Sequence, residues 1–97
     1  MTREEVKKEL VDFFKESNVE ELSSNTSRIK IEEGAFNRVF YLESECIIFM
    51  AYIKMDNALM NHTITNAFLY SQIEKVEKYD KSIRFMLECG TLISVVR

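Results

Sequence analysis

The longest apolar run in the chain, Cys46–Ile53, fits only one kind of place in a folded protein. Read with a period of two, Cys46, Ile48, Met50 and Tyr52 fall on one face. Ile47, Phe49, Ala51 and Ile53 fall on the other. A strand that is apolar on both faces belongs inside a sheet, with cover on both sides. The run has the length of a strand and falls well short of the roughly 18 residues needed to cross a bilayer.

One cover is visible at the start of the chain. Val6, Leu10, Phe13 and Phe14 recur at i, i+4, i+7 and i+8, which places them on one helical stripe. Thr2 and Glu5 have the spacing of a capping box, and Met1 and Val6 that of a hydrophobic staple. Glu4 and Lys8 add an i,i+4 pair of favourable polarity. These signals predict a helix over residues 3–16, ended by Ser17-Asn18. Asn18 with Glu21 predicts one further capped turn that buries Val19 and Leu22. Ser23-Ser24-Asn25-Thr26-Ser27 reads as a polar linker. The second cover must come from a curled sheet or from a second subunit.

From Arg28 onward the period approaches two. Arg28, Lys30 and Glu32 alternate with Ile29 and Ile31, the pattern of a half-buried strand. Glu33-Gly34 predicts a turn, and residues 36–42 a second strand. Glu43-Ser44 is a tight turn before the apolar run. Residues 55–62 are irregular, with Asp56 able to cap a single helical turn. Residues 63–70 open on Thr63, Ile64 and Thr65, which favours a strand. Residues 72–79 stay open, because Ile73, Val76 and Tyr79 suit either a helical face or a bulged strand. Ile83, Phe85, Leu87 and Cys89 share a face of the next strand, and Gly90-Thr91 turns the chain into a final strand. The expected fold is therefore α+β in one domain over residues 1–97. An N-terminal amphipathic helix packs on a curled, mainly antiparallel sheet of about six strands, and the β-rich part covers about residues 28–97.

The segment from Tyr70 to Val95 carries Ser71, Ile73 and Val76 in an S-x-I-x-x-V strand entry. The hairpin after it has the form I-x-F-x-L-x-x-G-x-x-I, carried by Ile83, Phe85, Leu87, Gly90 and Ile93. This last quarter of the chain resembles bacterial PH-like β domains. The resemblance implies a curled antiparallel sheet and a binding module, and it carries over no functional residue. The helix stands first in this chain, whereas a PH barrel is closed by a helix at its C-terminal end.

Charge separates the possible partners. The net charge is −3. Residues 1–24 hold four cations against seven acids, and the remaining residues hold nine of each. No concentrated basic face is present to displace counterions from nucleic acid or to meet an anionic membrane. The charged, polar N-terminus is unlike a signal peptide, and Cys46 and Cys89 lack metal-type spacing. Reduced, buried thiols and a cytoplasmic location are the expectation.

Chemistry-bearing constellations are sparse. His62 is the single histidine, with no nucleophile at an identifiable turn. Glu32-Glu33, Glu43/Glu45 and Glu74/Glu77 are carboxylate pairs that solvated strand ends explain. No phosphate loop or dinucleotide fingerprint appears, so no enzyme activity, cofactor or metal is expected. The stronger feature is adhesive. Met50, Met55, Leu59 and Met60 cluster around the irregular stretch, with Tyr52, Phe68 and Tyr70 beside them. The sequence reading is a small non-enzymatic binding protein, such as an inhibitor, adaptor or regulator of a protein partner, with the composition of a bacterial or phage accessory protein. The candidate binding residues are Met55, Asn57, Leu59, Met60, Asn61, His62 and Tyr70, together with an acidic helix face of Glu5, Glu9, Asp12 and Glu16. The alternative is an oligomeric small-ligand or nucleotide binder with its pocket between subunits. Both readings allow a homodimer.

Overall fold

A computed structural model describes residues 1–32, 36–53 and 63–97. The predicted turn at Glu33-Gly34 and the irregular stretch at 55–62 lie outside these residues.

Helix α1 spans Arg3–Phe13 and opens on the predicted capping box. Glu5 N donates to Thr2 Oγ1 at 3.2 Å, and Thr2 N donates to the Glu5 carboxylate at 3.2 Å. Each bond satisfies a backbone or side-chain group that the first helical turn leaves open. The helix ends earlier than the predicted residue 16. Phe14 is its C-cap, in an extended conformation, and its side chain is fully buried. Leaving the helix there turns both Phe13 and Phe14 inward, with their rings edge-to-face at 4.9 Å.

The next segment corrects the sequence reading. Ser17–Ser23 is neither a capped turn nor part of a linker; it is strand β1, paired antiparallel with β2 (Thr26–Ile31). Its side chains are almost all exposed, so no apolar alternation marks it in the sequence. Strands β3 (Phe36–Leu42), β4 (Cys46–Ile53) and β5 (Thr63–Leu69) follow. They complete a five-stranded antiparallel meander in the order β1-β2-β3-β4-β5.

A single 3₁₀ turn, Tyr70–Gln72, leads into a second sheet. Its strands β6 (Ile73–Lys78), β7 (Ser82–Leu87) and β8 (Leu92–Val96) lie in that order, again antiparallel. The stretch that the sequence left open is thus a strand. A register shift between Ile73 and Lys75 accounts for its three-residue apolar spacing, because a bulge inserts one residue between inward positions. In place of the expected sheet of about six strands, the described residues form eight strands in two sheets, and neither sheet is closed among them.

Both α1 and the small sheet pack on one face of the large sheet. That inner face carries Ile29, Ile31, Phe40, Leu42, Ile47, Phe49 and Phe68, which join Val6, Leu10, Phe14, Ile83, Phe85 and Val95 in one core cluster. Phe40 stacks on Phe49 at 4.9 Å within the sheet, and Phe68 meets Phe85 across the two sheets at 5.8 Å. The β4 run has a neighbour strand on each side, as its two-faced apolarity requires. Its cover is one-sided, however. Ile47 and Phe49 are buried, while Cys46, Ile48 and Met50 on the outer face are only half-buried.

Polar ties fasten the helix to both sheets. Lys78 pairs with Glu9 at 2.7 Å, and Lys7 pairs with Glu21 of β1. Arg97 Nη1 donates to Phe13 O at 2.9 Å, at the helix C-terminus, and its guanidinium lies 4.5 Å from the Phe13 ring centroid. The Nε and Nη2 of Arg97 both donate to Asp80 O in the β6–β7 turn. Among the described residues, no helix is long and apolar enough to cross a membrane.

Candidate binding cleft

The small sheet does not cover the whole inner face of the large one. Past the edge of β8 a cleft of ≈ 580 Å³ remains. Its floor is Phe49 and Ala51 of β4, with Asn66 of β5 and Arg38 of β3 at its sides. Its wall is β8 itself, with every residue from 92 to 96 lining it, together with Thr91 just before the strand. These floor residues point inward by strand alternation. Arg38 stands opposite Ala51, and Phe49 opposite Asn66, so all four belong to the face that carries Phe40 and Phe68.

Arg38 is the chemically distinctive lining residue. It is only 5% exposed. Its Nη1 donates to the Val96 carbonyl, and its guanidinium carbon lies 5.4 Å from the Phe14 ring centroid. The ring face and the carbonyl dipole both favour a cation, which lets a strand position of the core hold a guanidinium. The cleft thus joins an apolar floor to a buried guanidinium. Nothing in the sequence reading singled out Arg38 or Asn66. The available signal was polar residues at inward positions of otherwise apolar strands, here Arg38 two residues before Phe40 and Asn66 two before Phe68.

Of the residues expected at a site, Met55, Asn57, Leu59, Met60, Asn61 and His62 lie outside the described residues. Tyr70 is buried beneath the start of the helix, where its hydroxyl donates to Glu43 O at 2.6 Å. Burial pushes its phenol well above the ordinary value. It lies apart from that cleft, in the core cluster, and borders a separate depression of ≈ 480 Å³ with Met1, Arg3, Glu45 and Ser71.

The four acidic positions differ in their surroundings. Glu5 closes the capping box, and the Thr2 backbone N–H lowers its carboxyl pKa. Glu9 is half-buried against Lys78. Asp12 is exposed on the helix, and Glu16 is exposed in the turn after it. Cys46 is half-buried, but Cys89 is exposed, contrary to the expected buried thiol. Strand β7 ends at Leu87, so Cys89 leaves the strand face and sits in the turn. There its Sγ lies 3.2 Å from Thr91 Oγ1, and a hydrogen bond from the Thr91 hydroxyl favours the thiolate and draws its pKa down.

The outer face of the large sheet holds a smaller depression of ≈ 190 Å³ between Arg28, Lys30, Val39, Tyr41 and Met50. Arg28 pairs there with Glu20 of β1. No family model matches the chain, and neither does any curated protein or solved structure.

Proposed function

We propose that the chain is a small non-enzymatic binding protein that holds a segment of a macromolecular partner in the cleft beside β8. One observation carries this reading. The fold leaves a mainly apolar cleft beside β8, with Phe49 and half-buried Ala51 at its floor and exposed Leu92 and Val96 on its wall. Burying apolar surface is the main source of association free energy, and a concave strip with few polar groups is where it can be gained. The reading includes a protein partner rather than nucleic acid or a membrane, because no basic face concentrates the chain's cations. Two free cysteines accord with a cytoplasmic setting, and the composition with a bacterial or phage accessory protein.

A small-ligand reading has one supporting observation. The cleft volume of ≈ 580 Å³ falls within the range of small-molecule sites, roughly 300–1,000 Å³. In that case a homodimer would close the cleft from its open side.

Selection of displayed random peptides on the wild-type protein and on Ala51→Glu separates the two. Ala51 is half-buried on the floor, and a carboxylate there faces Arg38 while occupying the cleft. The expected result is a set of peptides that bind the wild type and lose about tenfold or more in affinity on Ala51→Glu. If no peptide shows that loss, and a nucleotide and metabolite panel raises the melting temperature instead, the small-ligand reading replaces this one.

A further inference from the structure

The small sheet has a second face, turned away from the core. Ile83, Phe85 and Val95 point inward and are buried. By strand alternation, Ser82, Arg84 and Met86 of β7 and Leu92, Ser94 and Val96 of β8 point outward. The register pairs Arg84 with Ser94, Met86 with Leu92 and Ser82 with Val96, so the outward side chains form one contiguous patch. Tyr79, just after β6, lays its ring 4.6 Å from the Arg84 guanidinium carbon. The backbone of β8 serves a different side. Leu87 N donates to Thr91 O and Arg97 N to Lys81 O, both at 2.9 Å. That parity turns the N–H and C=O groups of Leu92 and Ser94 away from β7, towards the cleft.

The patch is apolar around a cation. Among the described residues, seven large apolar side chains stand exposed, and Tyr79, Met86, Leu92 and Val96 gather here. The other three do not: Leu69 ends β5, and Val19 and Leu22 stand beside Glu20 and Glu21 of β1. A clustered apolar patch on a small domain marks an interaction surface more than scattered residues do. Among the described residues Arg84 makes no ion pair, and its buried Nε finds no acceptor. The acid across from it, Glu77, accepts from the Tyr79 hydroxyl and pairs with Lys75 at 3.2 Å. Those two contacts hold the Glu77 carboxyl low, and Arg84 contributes least. The paired outward positions thus hold two cations, Lys75 and Arg84, against one acid.

We propose that the outer face of the small sheet docks a protein partner through Arg84, with a partner carboxylate on the guanidinium and apolar partner side chains over Tyr79, Met86, Leu92 and Val96. This goes beyond the cleft reading and does not depend on it, although Leu92 and Val96 line both surfaces. A guanidinium binds a carboxylate through two parallel N–H bonds, and a surrounding apolar ring excludes water from them. Tyr, Met and Arg are the residues that interface centres favour. Stacking on Tyr79 holds the guanidinium in place before the partner arrives. Nucleic acid fits poorly, because its affinity grows with the number of phosphates neutralised and this face offers two cations.

The test uses random peptides displayed and selected on the full wild-type chain, then titrated against Arg84→Gln, Met86→Glu and Ala51→Glu. The first two change outward side chains, and Ala51→Glu fills the cleft. The expected result is a class of acidic, apolar peptides that lose about tenfold or more in affinity on both Arg84→Gln and Met86→Glu and keep it on Ala51→Glu. Changing the acidic residue of such a peptide to its amide should cost as much on the wild type and nothing further on Arg84→Gln. That exchange tests the contact in the unaltered protein if a variant does not fold. Absence of any peptide with this joint sensitivity, or indifference to the amide exchange, would overturn the proposal and leave the cleft reading to its own test. A wild-type dimer that Met86→Glu turns into a monomer would assign the face to a second copy of this chain and overturn it as well.

Discussion

Single side chains in this protein mostly act by closing local accounts of hydrogen bonds and charge. Thr2 satisfies the Glu5 N–H at the helix start, so Thr2→Ala is expected to cost about 1 kcal/mol in denaturant unfolding. Arg97 ties the helix C-terminus to the β6–β7 turn through Phe13 O and Asp80 O. Truncating this exposed side chain to Ala should cost about 1 kcal/mol and raise amide exchange at the end of α1. Glu21 gives a pH dependence of known sign. Its hydrogen bond from Lys7, and then its bond from Ser27, hold its carboxyl below the ordinary 4.5. A carboxyl lowered in the folded state stabilises the fold above its unfolded value, and that contribution fades as pH falls through the folded one. The denaturant midpoint should therefore decline below about pH 5, and Lys7→Met should flatten the decline. An unchanged slope in Lys7→Met would remove Glu21 from the cause.

At the scale of elements, strand parity makes a sharper prediction. Ile93→Pro deletes an N–H that the ladder assigns to β7, whereas Ser94→Pro deletes one that faces the cleft. The first should cost about 3 kcal/mol or more, and the second well under half of that. Similar losses for both would mean that the ladder parity is misassigned. Phe14→Ala, in the core and against Phe40, should cost about 3–5 kcal/mol. The same elements show what sequence could and could not convey. Helix α1 was legible because its cap, its apolar stripe and its helix formers agree. Strands β2, β4, β7 and β8 were legible from their period of two. Strand β1 was not, because an edge strand with exposed side chains has no apolar alternation to display. The bulge at β6 made one strand look like a helical face. The cleft was illegible for a different reason: it exists only where the small sheet stops short of the large one, and sheet-on-sheet placement leaves no local mark. Arg38 and Asn66 could be seen only as polar interruptions of apolar strands.

The whole molecule is a five-stranded sheet with one well-covered face, closed over by a helix and a smaller sheet that leave a cleft beside β8. Its 13.3 Å radius of gyration matches the roughly 13 Å of a compact domain of this size. Function, in this account, follows from that incomplete closure: an apolar floor, a buried guanidinium and an open strand edge meet at one place. The most direct test needs no partner. Amide hydrogen exchange along β8 in the free protein should alternate, with Ile93 and Val95 protected by β7 and Leu92 and Ser94 exchanging orders of magnitude faster. That pattern would show the edge standing open in solution. Uniform protection of all four amides at concentrations where the protein is monomeric would mean that the edge is already covered, and it would contradict the account.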